Sequence, residues 1–176
     1  MNFLIVVDMQ NDFITGTLGT AEAVAITDYV QTVVEDFQGT ILFTRDTHTK
    51  DYLTTREGSC LPVEHCIEGT HGWEICNELR PASTESTILN KPTFGSTQLV
   101  ATIQELRKDS TELESNLTFT LVGLCTDICV ISNALLLKAT FPESTIIVDS
   151  KGCAGVTPTS HNNALEAMKM CHIEII

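Results

Sequence analysis

Apolar residues fall in short runs that alternate with amphipathic stretches along the chain. Several of these runs are almost uninterrupted, a pattern typical of strands that are buried on both faces of a parallel sheet. In the stretches between them, apolar residues recur with the period of a helix that packs one face. The predicted strands are 3–8, 40–46, 85–91, 117–124, 144–150 and 172–176, and the predicted helices are 20–36, 96–108, 127–140 and 159–171.

This alternation of strands and helices predicts the fold class. We expect a single α/β domain over residues 1–176, with a doubly wound, mostly parallel sheet of about six strands and helices on both faces. The exception is the segment 47–82, which is rich in Gly, Cys, His and Glu and shows little clear periodicity. Because so long an irregular segment in a compact domain usually serves a site, we expect functional residues within it.

Composition and charge narrow the range of partners. With 43% hydrophobic and 19% charged residues, the chain has the composition of a globular protein. Its 10 basic and 23 acidic residues give a net charge of −13, which repels nucleic-acid phosphates and anionic membrane surfaces. The chain start lacks a basic leader, and the apolar run 3–7 is too short for a signal or a membrane span. We therefore expect a cytoplasmic protein that binds neither nucleic acid nor membrane.

Two of the seven cysteines lie in the sequence GLCTDICV, as Cys125 and Cys129. An odd number of cysteines favours reduced thiols over a disulfide framework. Thr126 or Asp127 is predicted to cap the helix after the fourth strand, which places Cys129 in the first turn, where the helix dipole lowers the pKa of a thiol. Cys125 is predicted to pack at the strand end with its backbone N–H facing the rim of the sheet. The alternative for both is that they are small buried core residues.

Polar residues at the ends of predicted strands are the other candidates for chemistry, because parallel sheets bind ligands at the carboxyl ends of their strands. Asp8 ends the first strand and Lys91 ends the third. Lys91 either extends into solvent or points its ammonium into a cleft, where it would stabilise a thiolate. Asp8 either caps a nearby helix or transfers protons.

A candidate metal site begins at the end of the second strand. Asp46 and His48 are two positions apart in an extended segment, so both side chains leave from the same face. The alternative is that they are turn residues that bind local backbone. The segment that follows contains more nitrogen and oxygen ligands, and two thiols that compete for zinc: Glu57, Glu64, His65, Cys60 and Cys66.

Together, these motifs resemble the isochorismatase-like cysteine hydrolase superfamily, and within it the nicotinamidases. They follow the family's order along the whole chain: VVDMQNDF, TRDTH, LPVEHCIEGTHGWEI, the strand-end Lys91 and GLCTDICV. The resemblance implies a catalytic triad of Asp8, Lys91 and Cys129, with Cys129 as the nucleophile. It also implies an oxyanion hole formed by the backbone N–H groups of Cys125 and Cys129, and a cis peptide bond between Leu124 and Cys125.

The resemblance further implies one bound divalent metal, with zinc expected first and iron or manganese as alternatives. Phe13 and Trp73 are expected to flank a flat substrate ring. The implied metal ligands are Asp46, His48, His65 and Glu57.

The function implied by the resemblance is hydrolysis of a small carboxamide, most directly nicotinamide to nicotinate and ammonia, through a thioester. Two alternatives stay open. One is a metal-free hydrolase of the same superfamily that cleaves a vinyl ether or a carbamoyl amide, which the retained metal ligands argue against. The other is a non-catalytic binding or redox protein, which Asp8 and Lys91 together argue against. The sequence KPTFGSTQL departs from many nicotinamidases and leaves the substrate open. Relatives suggest a homo-oligomer.

Overall fold

Six strands form one sheet in the computed structural model, which describes residues 1–176 apart from the side chain at position 81. Their order across the sheet is β3-β2-β1-β4-β5-β6, and every neighbouring pair is parallel. The chain winds outward from β1 in one direction and then from β4 in the other, which confirms the predicted doubly wound α/β fold. The strands are β1 (Asn2–Val7), β2 (Thr40–Asp46), β3 (Thr87–Lys91), β4 (Thr118–Leu124), β5 (Thr145–Ala154) and β6 (Glu174–Ile175).

Seven α-helices accompany these strands in the described part of the chain. They are α1 (Asn11–Ile14), α2 (Ala21–Asp36), α3 (Arg56–Cys60), α4 (Arg80–Glu85), α5 (Thr97–Leu106), α6 (Ile131–Thr140) and α7 (Pro158–Met170). A π turn, Thr126–Val130, leads directly into α6. Side-chain hydroxyls cap the starts of α2, α5 and α7, at Thr20, Ser96 and Thr157. Among the described residues, no helix is both long enough and apolar enough to cross a membrane.

The two faces of the sheet carry separate apolar cores, because successive side chains of a strand point to opposite faces. In β1, Phe3, Ile5 and Val7 pack with residues of α5, α6 and α7. Leu4 and Val6 pack on the other face with residues of α2. Helices thus cover both faces, so that ligands reach the sheet at its rim.

Element boundaries differ from the sequence expectation in a few places. β3 begins at Thr87 because α4 continues to Glu85. β5 runs on to Ala154 and pairs there with the end of β4, whereas β6 is shorter than predicted. The irregular character of the segment 47–82 is confirmed, since it contains only short helical turns.

At the rim, β1 and β4 approach each other closely at the point where the winding direction changes. Gly123 in β4 has φ 115°, and a Cβ at this position would lie 2.1 Å from the backbone oxygen of Val7. Only glycine fits this close approach. As a result, Asp8, which follows β1, and the turn that follows β4 are held next to each other.

Candidate active site

Three side chains from three strand ends meet at this rim. Lys91 Nζ lies 2.6 Å from Asp8 Oδ2 and 3.4 Å from Cys129 Sγ. All three residues are buried, with exposures of 1% for Lys91, 0% for Asp8 and 5% for Cys129. The structure therefore brings together the three residues that the sequence analysis singled out. A solvated Lys91 and a helix-capping Asp8 are both wrong, because the two side chains form a buried ion pair.

The Asp8 carboxylate is held at both oxygens. Thr44 Oγ1 donates to Oδ1 at 2.7 Å, while Oδ2 pairs with Lys91. Asp8 has a left-handed backbone (φ 48°), and this conformation ends β1 and turns the chain across the rim. Lys91 also lies 3.4 Å from Asp46 Oδ1, so its ammonium sits among two carboxylates and a thiol.

Burial and neighbouring charges set the protonation states of this cluster. Burial raises the pKa of Asp8, and Asp46 adds to the rise, whereas Lys91 opposes it. For Lys91, burial alone would lower the pKa, but Asp8, Cys129 and Asp46 hold it above its ordinary value. Lys91 is therefore a permanent cation, while Asp8 is a carboxylate with an increased affinity for a proton.

The prediction that the pKa of Cys129 falls is wrong. Burial raises the pKa of the thiol well above its ordinary value, the Asp8 carboxylate raises it further, and Lys91 only partly offsets these effects. The resting group is therefore a thiol, with its sulfur 3.4 Å from the Lys91 ammonium.

The turn that carries Cys129 differs from the predicted capped helix. Cys125 occupies the N-cap position, and its carbonyl accepts the N–H groups of Ile128 and Val130, which gives a π turn rather than an α-helical start. The capping prediction for Thr126 or Asp127 is therefore wrong, because both side chains bind elements outside the turn. The predicted cis peptide between Leu124 and Cys125 is confirmed. Burial raises the pKa of the Cys125 thiol to about 12, so this thiol is inert at neutral pH.

A second polar cluster lies beside the first, formed by Asp46 at the end of β2 and by side chains of the irregular segment. Its members are Asp46, His48, Glu57 and His65, whose potential ligand atoms all lie within 4.8 Å of one another. Glu64 is exposed and outside this group, and so is Cys60, while Cys66 is buried with a strongly raised pKa. The thiolate alternative for a zinc site is therefore wrong.

The donor set of this cluster fits a cation. The Nδ1 of His65 is 2.8 Å from the carbonyl oxygen of Val63, and an N–H at Nδ1 leaves the lone pair of Nε2 facing the cluster. His48 Nε2 is buried and makes no hydrogen bond, although Asp46 Oδ2 lies 3.0 Å away. Two imidazoles and two carboxylates match the nitrogen and oxygen ligands of zinc and related divalent metals.

Burial and neighbouring charges shift the pKa values of the two carboxyl groups in this cluster. Burial opposes ionisation of Asp46, but His48, Lys91 and His65 together hold its pKa below the usual range. Burial raises the pKa of Glu57, and the charge of Asp46 adds to the rise. The fully buried Tyr52 packs against both imidazoles, with ring centroids 4.6 Å from His48 and 5.0 Å from His65. A cation in the cluster would offset the charges of the two carboxylates.

A cavity of about 350 Å³ is bordered by both clusters. Cys129 and Cys125 line one side, and Asp46, Glu57 and His65 line another. Apolar side chains close much of the rest, including Phe13, Leu61, Phe94, Ile128 and Val156. None of the described lining residues is a lysine or an arginine. The cavity thus suits a small, neutral and mainly apolar ligand.

The two residues expected to flank a substrate ring differ in position. Phe13 lines the cavity, with its ring centroid 5.6 Å from that of His65. Trp73 lies outside the described cavity lining, which corrects the expectation for this residue. Its indole stacks under the Arg45 guanidinium, 3.4 Å from the ring centroid, and its Nε1 donates to Thr47 Oγ1 at 2.8 Å. Trp73 therefore contacts Arg45 and Thr47 instead of lining the cavity.

Sequence reasoning missed residues that support the site. Gln10 is fully buried and holds Asp46 through its backbone, accepting from the Asp46 N–H at 2.7 Å and donating to its carbonyl at 2.9 Å. A buried glutamine just after the first strand, in DMQND, was a usable signal. Leu61 and Phe94 offered none, because single apolar residues in irregular chain do not show what they face.

Comparisons with known proteins agree with this architecture. A model of the isochorismatase domain matches residues 2–176. The nicotinamidase of Schizosaccharomyces pombe is 28% identical over 209 residues, covering 98% of this chain and 91% of its own. The nicotinamidase/pyrazinamidase of Mycobacterium tuberculosis is 27% identical over 195 residues, covering 100% of this chain and 98% of its own.

A solved structure shows the same fold. The pyrazinamidase of Pyrococcus horikoshii in complex with zinc superposes with a TM-score of 0.80 at 24% identity, covering 99% of this chain and 98% of that chain. At 24% identity, this structural similarity shows the fold alone. The family model, in contrast, matches nearly the whole sequence. The chain therefore belongs to the isochorismatase family and is a hydrolase, as its motifs predicted.

Proposed function

We propose that this protein is a metal-containing cysteine amidohydrolase that converts nicotinamide to nicotinate and ammonia. One observation carries the proposal. The buried cluster of thiol, ammonium and carboxylate reaches, through Cys129, the same cavity that a four-ligand cation site borders. Curated relatives named as nicotinamidases support the substrate.

The first half of the reaction forms a thioester. Asp8 accepts the thiol proton of Cys129, and the Lys91 ammonium stabilises the thiolate as it forms. The sulfur attacks the amide carbon, and the backbone N–H groups of Cys125 and Cys129 hold the oxyanion. Asp8 then passes its proton to the amide nitrogen, the carbon–nitrogen bond breaks, and ammonia leaves.

The second half releases the acid. A water molecule enters the space left by ammonia and gives a proton to Asp8 as its oxygen attacks the thioester carbon. The carbon–sulfur bond breaks, nicotinic acid is released and loses its remaining proton to solvent as nicotinate, and the proton on Asp8 returns to the Cys129 sulfur. The raised pKa of Asp8 suits both directions of this transfer, because the group must take up a proton and give it back.

The cation site serves orientation in this proposal. Asp46, His48 and His65 would hold a divalent ion with Glu57 as a further ligand, and zinc is the proposed ion because the donors are nitrogen and oxygen atoms. The ion would supply a coordination position for the ring nitrogen, which fixes the ring while the amide faces the sulfur.

The alternatives fit the cavity less well. Isochorismate and carbamoyl derivatives of amino acids carry carboxylates, and no lysine or arginine is among the described lining residues. Asp46 and Glu57 would repel such substrates. A redox protein that works through a disulfide is disfavoured because burial raises the pKa of both Cys125 and Cys129, whereas redox-active thiols have lowered pKa values.

A panel of small amides tests the function by release of ammonia. Purified protein is incubated with nicotinamide, pyrazinamide, benzamide and an N-carbamoyl amino acid. We expect kcat/KM for nicotinamide to exceed that for benzamide by about 100-fold or more, since benzamide lacks the ring nitrogen. Turnover of the carbamoyl compound without turnover of nicotinamide would contradict the proposal and favour a metal-free carbamoyl-amide hydrolase.

A further inference from the structure

The turn that carries the thiol is joined to α7 by a side-chain contact that the reaction scheme does not use. Thr126 Oγ1 lies 2.8 Å from Nδ1 of His161, in the first part of α7. Thr126 is fully buried and stands between Cys125 and Cys129 in sequence. The contact therefore acts on the short segment that supplies both the sulfur and the oxyanion donors.

A second contact ties the same turn to the start of α7. Both carboxylate oxygens of Asp127 lie 3.2 Å from the backbone N of Val156, which donates to them. Val156 directly precedes Thr157, the N-cap of α7, and its side chain lines the cavity. The turn, the loop and the first turn of α7 thus form one braced unit.

The loop before α7, at Gly155, also packs directly on His161. A Cβ at Gly155 would lie 2.9 Å from Cβ of His161, so the backbone passes closely over this side chain. Burial lowers the pKa of His161, while Asp127 opposes the shift, which leaves the ring neutral at neutral pH. The ring is therefore a directional hydrogen-bonding group and not a charge beside the turn.

We propose that His161 is a positioning residue for the hydrolase reaction, acting through Thr126 on the turn 125–129. This inference rests on the proposed function. His161 is not among the described residues that line the cavity, so its effect on the reaction would be indirect. Its effect would come from holding the sulfur and the oxyanion donors in place, because a displacement of about 1 Å can cost about 100-fold in rate.

Paired substitutions distinguish the loss of the hydrogen bond between Thr126 and His161 from a change in side-chain volume. His161→Leu removes the ring nitrogen, whereas His161→Asn can place an amide atom near the position of Nδ1. Thr126→Val removes the hydroxyl at nearly constant shape, and Thr126→Ser keeps it. We expect the Leu and Val variants to lose about 10- to 100-fold in kcat with KM within about threefold, and the Asn and Ser variants to stay within about fivefold of wild type.

The double variant and a matched control complete the design. If the two side chains act as one link, His161→Leu combined with Thr126→Val loses no more kcat than the more damaging single variant. His172→Asn removes an exposed imidazole just beyond the other end of α7 and should match wild type. Melting temperature is measured for every variant, and Thr126→Val decides the question where His161→Leu fails to fold.

A readout independent of turnover separates this inference from the proposed function. Iodoacetamide alkylation of Cys129, followed by mass spectrometry, should be about tenfold slower in His161→Leu, because the sulfur moves away from the Lys91 ammonium that stabilises its thiolate. If wild-type protein releases no ammonia from nicotinamide, the proposed function is wrong. The alkylation rates still test the contact between Thr126 and His161 in that case. Unchanged kcat and alkylation in the Leu and Val variants, equal damage by Leu and Asn, or additive losses in the double variant would overturn the link.

Discussion

The two polar clusters beside the cavity are built in different ways. Asp8, Lys91 and Cys129 follow or end three strands of one sheet, so parallel pairing brings them to one rim. In the cation cluster only Asp46 ends a strand, and its partners come from the irregular segment 47–82. A regular sheet places the proposed catalytic residues, whereas side-chain contacts such as the packing of Tyr52 place the candidate metal ligands.

The clusters also differ in how their charges are balanced. The catalytic cluster contains its own cation, since the Lys91 ammonium lies 2.6 Å from Asp8 and 3.4 Å from Asp46. The cation cluster contains two carboxylates and two imidazoles, one with an unbonded buried nitrogen. The Lys91 ammonium balances the carboxylate charge of the first cluster, whereas a bound cation would balance the charges of the two carboxylates in the second.

The largest effect is expected from removing the sulfur of the catalytic cluster. Cys129→Ala should lower kcat/KM for nicotinamide by about 10⁴-fold or more, because it removes the sulfur that contacts the Lys91 ammonium and is proposed to form the thioester. Ammonia release and mass spectrometry of the covalent adduct measure the loss. Cys125→Ala is the matched control: it keeps its backbone N–H and should stay within about tenfold of wild type. An inactive Cys125→Ala beside an active Cys129→Ala would reverse the assignment.

A smaller effect is expected from breaking the cation cluster. His48→Ala removes one of four ligands, so bound metal should fall from about one equivalent to near zero and kcat/KM by about 100-fold. Elemental analysis for zinc, iron and manganese measures the metal directly. The control is His71→Ala, which removes an imidazole that is 77% exposed and outside the cluster. Metal-free wild-type protein with a fully active Asp46→Ala would contradict a role for metal.

The smallest effect is expected from removing the hydrogen bond between Thr44 and the Asp8 carboxylate. Thr44→Val removes a hydrogen bond that favours the ionised form of Asp8, so the pKa of Asp8 should rise further. Only ionised Asp8 accepts the thiol proton, and activity therefore falls as pH drops through this pKa. The acid limb of kcat/KM should move to higher pH by about half to one unit.

The control for this shift is Thr44→Ser, which keeps the hydroxyl and should leave the acid limb in place. Rates are compared over the whole pH range, so that a general loss of activity is separated from a displaced limb. A limb that stays fixed in Thr44→Val, or moves to lower pH, would show that Asp8 does not control it.

Sequence reasoning succeeded where regular structure determines position. The strands before Asp8 and Lys91 were readable from continuous apolar runs, and a parallel sheet leaves those residues at one edge. The prediction of a lowered pKa for Cys129 was wrong, because the burial of its sulfur and the nearby Asp8 charge both depend on tertiary packing. Trp73 was misplaced for a similar reason, since its stacking on Arg45 is a contact between distant segments.

The amino-acid sequence by itself determined the sheet, its helices and the order in which chemical groups reach the rim, because these follow from the spacing of apolar residues and from local motifs. Only the tertiary structure decided the protonation states, the convergence of the four candidate ligands in space and the apolar walls of the cavity. Those properties depend on distances and burial among residues far apart in the chain, such as His161 against Thr126. Local pattern does not encode them, because each arises when separate segments pack together.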